Sequence, residues 1–394
     1  MKKLLCGLAV LSTFSAFATV DFDGMGRVRS LSTENYDFDG DGKDVTKTTS
    51  YRFQMGFKAY KVEQTSVYMQ ARFNKTAGAY DTGAGKTSSG NLNDPDSFDV
   101  HQAYIDHAFN ENFSMRAGRQ ELAYGDHLII GSVGFHDVGR TFDGYKFGYK
   151  SNYGTTDILM MTIQENGTET DSDRDHDLNG IYHSGTFGNV KHVDFYYLVD
   201  QNLTAKTTNN DTTVTSTGVR VKSAVKDFDY RVEYTAQTVK IDEDSEAASQ
   251  YDVELGYTFG KVRMAIETAS ASEFYKEMYP TGHKWLGFGD LYKRQNITQT
   301  AVHLAYTHSE KLNGSLSYHM LSATEETKTT QKWGAAAASD TSEAALGNEI
   351  DLAVNYKLGE NLGLQAAYVT FAPSDRYAST DAFTLSYLQL TTKF

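Results

Sequence analysis

Carboxylates alternate with other residues in the segment Asp37-Phe-Asp39-Gly-Asp41-Gly-Lys-Asp44. Acidic side chains at alternate positions followed by glycine form the first half of an EF-hand loop, where the glycine permits a sharp turn around Ca²⁺. The twelfth position of such a loop would be Thr48, so the bidentate glutamate is absent, and no helical pattern flanks the segment. The sequence therefore predicts either weak calcium binding by Asp37, Asp39 and Asp41 or a solvated acidic turn. No cofactor is expected to be required.

The pattern of a catalytic centre is missing from the rest of the chain. There is no Gly-x-Ser-x-Gly elbow, His-Glu-x-x-His helix, phosphate loop or dinucleotide fingerprint, and the 11 histidines are scattered. Ser317 and His319 would share one face of a strand, but two such neighbours do not make a catalytic triad. The sequence thus predicts a protein that is not an enzyme.

Along most of the chain, apolar and polar side chains alternate with the period of two that is typical of β-strands. From Glu349 to Leu358, aliphatic and aromatic side chains occupy one face, whereas acidic, amide and basic side chains occupy the other. About 18 such segments follow one another, and each is long enough to cross a bilayer as a tilted strand. The pattern predicts an all-β fold, a transmembrane antiparallel up-and-down β-barrel of about 18 strands. A solenoid or propeller is disfavoured because no fixed repeat is present.

The composition fits such a barrel. A mean hydropathy of -0.49 is low for a membrane protein, but a barrel needs apolar residues only at every second position. The 26 tyrosines and 22 phenylalanines suit aromatic girdles at the two membrane interfaces, and the 3 prolines lie in loop-like stretches. The net charge of -14 comes largely from acidic residues assigned to long loops, among them Asp242, Glu243, Asp244 and Glu246.

Predicted connections alternate between short and long. Short turns are expected at 110–112, 151–152, 188–189, 226–227, 260 and 359–361, and long loops at 32–49, 75–96, 123–140, 165–175, 201–212, 273–294 and 324–346. Short periplasmic turns and long extracellular loops are typical of outer-membrane barrels. Glycines in the 123–140 and 273–294 loops indicate compact, folded loops that either narrow the pore or stabilise the barrel rim.

Both ends of the chain carry signals of export. Residues 1–18 have a basic start, a short apolar run containing Cys6, and Ala16 and Ala18 before the predicted cleavage site, as in a signal peptide. We therefore expect residues 19–394 to form the barrel. The final strand has apolar residues at alternate positions up to Phe394, which resembles the assembly signal recognised by the barrel-assembly machinery of the bacterial outer membrane.

Charges opposite to the lipid-facing positions should line the lumen, because charge that faces lipid is costly. This rule gives a basic set of Arg27, Arg29, Arg52, Lys58, Arg72, Arg116, Lys146, Arg220, Lys222, Arg231, Lys261, Arg263 and Lys357. It gives a smaller acidic set of Asp23, Asp194, Asp229, Glu233, Asp252, Glu254, Glu267, Glu349 and Asp351. The predicted lumen is therefore mildly basic inside an acidic protein, which favours a mild preference for anions.

Two stretches carry motifs that are more specific than the strand pattern. One runs from Asp99-Val-His-Gln-Ala-Tyr-Ile-Asp106 through Arg116-Ala-Gly-Arg-Gln-Glu-Leu-Ala-Tyr-Gly-Asp126 to Gly139-Arg-Thr-Phe-Asp-Gly-Tyr-Lys146. The other is Tyr279-Pro-Thr-Gly-His-Lys-Trp-Leu-Gly-Phe-Gly-Asp290, followed by Asn296-Ile297. Both stretches resemble the alginate-export family of outer-membrane porins. The resemblance implies an 18-stranded barrel in the bacterial outer membrane.

These features together predict a porin that passes small hydrophilic solutes by passive diffusion. The alternatives are export of an anionic polysaccharide of the alginate type and a surface structural or adhesion barrel plugged by its loops. The expected partners are outer-membrane lipid and lipopolysaccharide, the barrel-assembly machinery and small solutes, with no nucleic acid. The solute and the oligomeric state do not follow from the sequence.

Overall fold

A computed structural model describes residues 19–38, 44–61, 64–77, 98–165, 175–203, 211–326, 330, 343–377, 379 and 381–394. Within these ranges the chain forms eighteen strands and one short 3₁₀ helix, Gly282–Lys284. The strands are β1 Thr19–Glu34, β2 Val45–Lys61, β3 Thr65–Thr76, β4 Phe98–Ala108, β5 Phe113–Gln120, β6 Phe142–Ser151, β7 Gly154–Gln164, β8 His176–Phe187, β9 Val190–Asn202, β10 Thr212–Val225, β11 Phe228–Ile241, β12 Asp244–Phe259, β13 Val262–Ala271, β14 Ile297–Thr307, β15 Leu312–Ser322, β16 Ala345–Lys357, β17 Leu362–Pro373 and β18 Phe383–Lys393.

The strands close into a single antiparallel barrel. Each strand pairs with its neighbours in sequence, and β1 pairs with both β2 and β18. At the closing seam the backbone of Phe394 exchanges hydrogen bonds with that of Gly24, at 2.9 and 3.1 Å. The predicted fold class of an 18-stranded up-and-down barrel is confirmed. Among the described residues, no helix is long and apolar enough to cross a membrane.

The two faces of the wall differ in polarity. On β11, Arg231 and Glu233 point into the barrel and are 6% and 1% exposed, whereas Val232 and Tyr234 point outwards and are 37% and 45% exposed. The other strands repeat this alternation, with aromatic and aliphatic side chains on the outer face. An apolar exterior and a polar interior are what a transmembrane barrel requires.

Connections alternate in length as expected. All six predicted short turns lie at one rim, which is the periplasmic rim by the usual pattern of outer-membrane barrels. One interpretation was wrong: residues 242–246 do not lie in a long acidic loop, because Asp242 and Glu243 form a tight turn and β12 begins at Asp244. The β17–β18 connection, which lies at the opposite rim from the short turns, was not predicted.

Strand β5 ends early, and the alternation of apolar and polar residues breaks between Arg116 and Glu121. It has 8 residues, and Gly118 has a φ of 124°. A side chain at Gly118 would collide with the carbonyl oxygen of Ala103 on β4, so only glycine fits this irregular pairing. The chain leaves the wall after Gln120 and turns into the lumen.

Two sequence predictions fall largely outside the described residues. Asp39 and Asp41 lie there, and only Asp37 of the proposed calcium ligands is described. The predicted signal peptide, residues 1–18, also lies there. Both therefore stay predictions.

Candidate functional site

Two loops fold into the lumen and pair with each other. The first inner loop, residues 121–141, joins β5 to β6, and the second inner loop, residues 272–296, joins β13 to β14. Ile130 and Tyr279 form a parallel β-bridge. The Gly131 N–H donates to the Tyr279 carbonyl at 2.7 Å, and the Tyr279 N–H donates to the Ile129 carbonyl at 2.9 Å. We call this joined pair the inner ribbon; its compactness confirms the prediction of folded loops.

Arginines of β1 and β2 hold one side of the inner ribbon. Arg27 and Arg29 each donate to Oδ1 of Asp137 on the first inner loop, at 2.5 and 2.8 Å. Arg29 also donates to the Phe135 carbonyl at 2.7 Å, and Arg52 donates to the His136 carbonyl at 2.9 Å. All three arginines are buried. A guanidinium presents several fixed donors, so these contacts attach the loop to the wall at defined points.

Arg72 of β3 adds to the same attachment. Its guanidinium donates to the Val138 carbonyl and to Oδ2 of Asp99, the latter at 2.5 Å. Beside it, buried His101 lies 2.7 Å from the Glu121 carboxylate at the start of the first inner loop. The wall formed by β1 to β4 therefore fixes both the beginning and the end of this loop.

Asp126 attaches the same loop to the opposite wall. Its carboxylate accepts hydrogen bonds from Arg220 and, at 2.8 Å, from Lys222, both on β10. Lys284 of the second inner loop donates to the Asp126 carbonyl at 2.9 Å. Burial alone would raise the pKa of Asp126, but Lys222 and Arg220 together hold that pKa well below its usual range. Asp126 is therefore ionised at neutral pH and pairs with these cations.

Acidic side chains of β12 and β16 hold the second inner loop. The Gly289 N–H donates to Glu349 at 2.8 Å, and the Phe288 N–H donates to Asp351 at 3.0 Å. Arg294 donates to Asp252, which is completely buried, at 2.9 Å. The inner ribbon is thus attached to β1 to β3, to β10, and to β12 and β16. It crosses the lumen between these walls.

Aromatic stacking fills the centre of the inner ribbon. The His283 ring lies between the Phe135 and Phe288 rings, with centroid distances of 3.4 and 5.0 Å. Arg29 covers the same Phe135 ring at 4.1 Å. Nδ1 of His283 lies 2.7 Å from Oδ2 of Asp290. These contacts join the two loops by packing as well as by hydrogen bonds.

A second aromatic contact links the inner ribbon to β11. The Arg231 guanidinium lies 4.5 Å from the centroid of the Trp285 ring. Trp285 borders a cavity of about 450 Å³ together with charged residues of β10 to β16. Asp229 and Arg263, which lie near the short-turn ends of their strands, also line it. The cavity therefore occupies the periplasmic half of the lumen beneath the inner ribbon.

The predicted lumen residues fall into three groups. Arg27, Arg29, Arg52, Arg72, Arg220, Arg231, Glu233, Glu267 and Asp351 are buried, and most contact the inner ribbon or one another. Lys58, Arg116, Lys146, Lys222, Glu254 and Arg263 are partly exposed on the inner face. Lys261 and Lys357 lie at the periplasmic edge, Lys261 in the β12–β13 turn and Lys357 at the end of β16. Their role in lining the conducting path stays a prediction.

Several residues that shape the lumen were not predicted. Asp126, Asp137, Lys284 and Arg294 lie on the inner loops, for which strand parity gives no direction. Of these, Asp126 and Lys284 lie in the family-like segments 116–126 and 279–290, whereas Asp137 and Arg294 had no such signal. His303 was overlooked as a scattered histidine, although it lies on the lumen face of β14, 3.2 Å from Glu267.

Ser317 and His319, the two residues considered above for a catalytic triad, contact other residues and not each other. Ser317 contacts Nδ1 of His303 at 2.9 Å, and His319 contacts Asp351 at 3.2 Å. Ser317, His303 and Glu267 have the composition of a triad, but Ser317 lies in mid-strand, where the backbone ladder pairs on both sides. Backbone N–H groups engaged in a ladder cannot stabilise an oxyanion. This arrangement does not support acyl transfer.

Comparison with known proteins agrees with the geometry. The alginate export family model matches residues 63–390. Among solved structures, OccK1 (OpdK) of Pseudomonas aeruginosa superimposes with a TM-score of 0.68 at 11% identity, covering 95% of this chain and 98% of that one. OccAB4 of Acinetobacter baumannii gives 0.63 at 11% identity, with 97% and 100% covered. No curated protein matches the sequence.

Proposed function

The chain belongs to the alginate export family of bacterial outer-membrane barrels, and we propose that it is a porin for small hydrophilic solutes. One observation carries this proposal: the inner ribbon crosses an 18-stranded lumen whose lining is polar and charged. A barrel of this size leaves an aqueous channel unless loops fill it. The inner ribbon narrows that channel, so solute size and charge decide passage. The chain has no catalytic role in this proposal.

We further propose the mild anion preference that the lumenal charges suggest. The deepest arginines are buried, and their donors are engaged by Asp137 and by loop carbonyls, so they are poorly accessible to solute anions. Lys222 of β10 and Lys284 of the inner ribbon both contact Asp126, but their side chains remain 45% and 47% exposed. Exposed cations in a narrow, low-dielectric channel raise the local concentration of anions. These two lysines supply the preference.

A second candidate is export of an anionic polysaccharide, which the family description favours. A polymer would have to thread past the inner ribbon, whereas a small solute needs only a gap beside it. In the outer membrane, lipopolysaccharide and the barrel-assembly machinery are further proposed partners of the barrel.

Conductance in a planar bilayer tests the proposal. Steady open-channel steps are expected for a porin, and the absence of any step would indicate a barrel plugged by the inner ribbon. Liposome-swelling rates should fall steeply with solute size. Vanillate, present in a crystal structure of OpdK, provides a small anionic test solute. Block by oligomers of uronic acids at concentrations where neutral oligosaccharides have no effect would favour polysaccharide export.

A further inference from the structure

Three potential metal ligands meet on the wall of the periplasmic cavity. One ligand atom each of Glu254, Glu267 and His303 lies within 4.8 Å of the others. Glu254 of β12 is directly opposite Glu267 of β13. His303 of β14 is opposite Ala265, two positions along from Glu267 on the same face. Three adjacent strands therefore fix the donors, and no loop is needed to bring them together.

Each of these three side chains is oriented by a further neighbour. Ser317 contacts Nδ1 of His303 at 2.9 Å, so Nε2 is directed towards Glu267. Gln299 donates to Oε1 of Glu267 at 2.8 Å, and Arg263 donates to Oε1 of Glu254. The remaining atoms, His303 Nε2 and Oε2 of the two glutamates, converge on one space, which Nη2 of Arg231 borders at 3.4 Å from each Oε2. Outer partners that orient histidine and carboxylate ligands in this way are characteristic of metal sites.

The charge around the three donors is not balanced. Asp229, Asp252, Glu254 and Glu267 are linked by ion pairs to three guanidinium groups, those of Arg231, Arg263 and Arg294. Nη2 of Arg231 is shared among three carboxylates, at 2.9 Å from Asp252 and 3.4 Å from each glutamate. Oδ1 of the completely buried Asp252 is the atom in the 2.9 Å ion pair with Arg231, although that contact lacks hydrogen-bond geometry. Three guanidinium groups thus serve four carboxylates. Because buried anions need full compensation, the fourth positive charge has to come either from a protonated His303, 3.2 Å from Glu267, or from a bound metal ion.

We propose that Glu254, Glu267 and His303 bind a divalent transition-metal ion in the periplasmic half of the lumen. One imidazole nitrogen and two carboxylate oxygens suit Zn²⁺, whereas Ca²⁺ and Mg²⁺ select oxygen ligands alone. The adjoining cavity supplies water for the remaining coordination position. Arg231 keeps its shorter contact with Asp252 and its stacking on Trp285, and the ion replaces its two longer contacts.

Zinc titration of the purified, untagged barrel tests this site. Isothermal calorimetry with ZnCl₂ should show one bound ion per chain, and millimolar Mg²⁺ should not displace it. His303→Gln should remove the binding. Ser317→Ala should weaken it about tenfold, as removal of an orienting partner does at known metal sites.

His192→Gln is the matched control, because it removes an exposed histidine of β9. It should leave zinc affinity unchanged. Heat-modifiable migration on gels verifies that each variant is folded. Loss of binding in folded His303→Gln but not in His192→Gln supports the site. Absence of zinc binding in the natural chain, or equal binding by His303→Gln, overturns it. Neither result depends on whether the channel conducts.

Discussion

Replacing Asp137 with alanine should release one side of the inner ribbon. Asp137 accepts hydrogen bonds from Arg27, Arg29 and Ser50, at 2.5, 2.8 and 3.1 Å. The side chains of the two arginines are only 4% and 7% exposed. The substitution therefore leaves two buried guanidinium groups without this carboxylate. The loop carbonyls that accept from the same arginines remain in place.

The size of the effect follows from the burial of these pairs. Removing one partner of a buried ion pair costs about 3 to 5 kcal/mol. We take about 3 kcal/mol, because the loop carbonyls remain and Asp137 is itself 22% exposed. At about 1.4 kcal/mol per factor of ten, the detached fraction of the loop should rise about a hundredfold.

Single-channel recording detects this change directly. The Asp137→Ala channel should switch between the natural conductance and a larger one, because the detached loop no longer narrows the lumen. Its anion preference should also rise, since the lumen loses one negative charge.

Asp106→Ala is the matched control for the charge change. Asp106 also pairs with an arginine on the inner face, Arg116 at 2.7 Å, and is 25% exposed, but it lies near the short-turn rim. It should alter ion selectivity without opening the larger conductance state. If Asp137→Ala gives the same steady conductance as Asp106→Ala, Asp137 does not hold the loop and the reasoning is refuted.

Four further predictions follow from the same structure. Removing Phe394 should reduce folded barrel in the outer membrane without blocking secretion, because its backbone pairs with Gly24 at the closing seam; normal heat-modifiable migration at normal abundance would contradict this. Lys222→Gln with Lys284→Gln should shift the reversal potential towards cations, whereas Lys311→Gln in the β14–β15 turn should not. Because neighbouring cations depress the pKa of Asp126, its contribution to anchoring the loop should be complete above its unfolded pKa of about 4 and should decline only as pH falls below that value. Conductance should therefore be constant from pH 5 to 8. Asp39→Asn with Asp41→Asn should abolish calcium binding at the predicted weak level of about 10⁻⁴ to 10⁻³ M, measured by calcium titration.

The barrel could be predicted from sequence because one physical rule acts on every strand. Lipid on one side and water on the other impose period two, so Val232 and Tyr234 had to face outwards once Arg231 and Glu233 faced inwards. The short turns were equally predictable, because tight turns require positive φ and glycine adopts it without strain. Gly188 and Gly260 do have positive φ in these turns. The tight turn at Asp242 was missed because its acidic residues resemble a solvated loop.

The inner ribbon could not be predicted in the same way. No periodicity relates Ile130 to Tyr279, which are far apart in sequence and meet only because both loops turn inwards. Their attachment depends on contacts between side chains and backbone, such as Arg29 with the Phe135 carbonyl. The glycine content indicated that the loops are folded, but it did not indicate that they turn into the lumen or which residues they contact.

Counting lumenal charges by strand parity therefore overstates the charge that a solute meets. Arg27 and Arg29 belong to the basic set, yet both are paired with Asp137, which strand parity could not reveal. The same holds for Arg220 of β10, which is paired with Asp126 of the first inner loop. A buried, paired guanidinium positions a loop, whereas the ammonium of Lys222, although it also contacts Asp126, is exposed enough to act on the solute. Ion selectivity in this barrel should accordingly follow the few exposed charges beside the inner ribbon, and substitutions of the deep arginines should act first on the width of the channel.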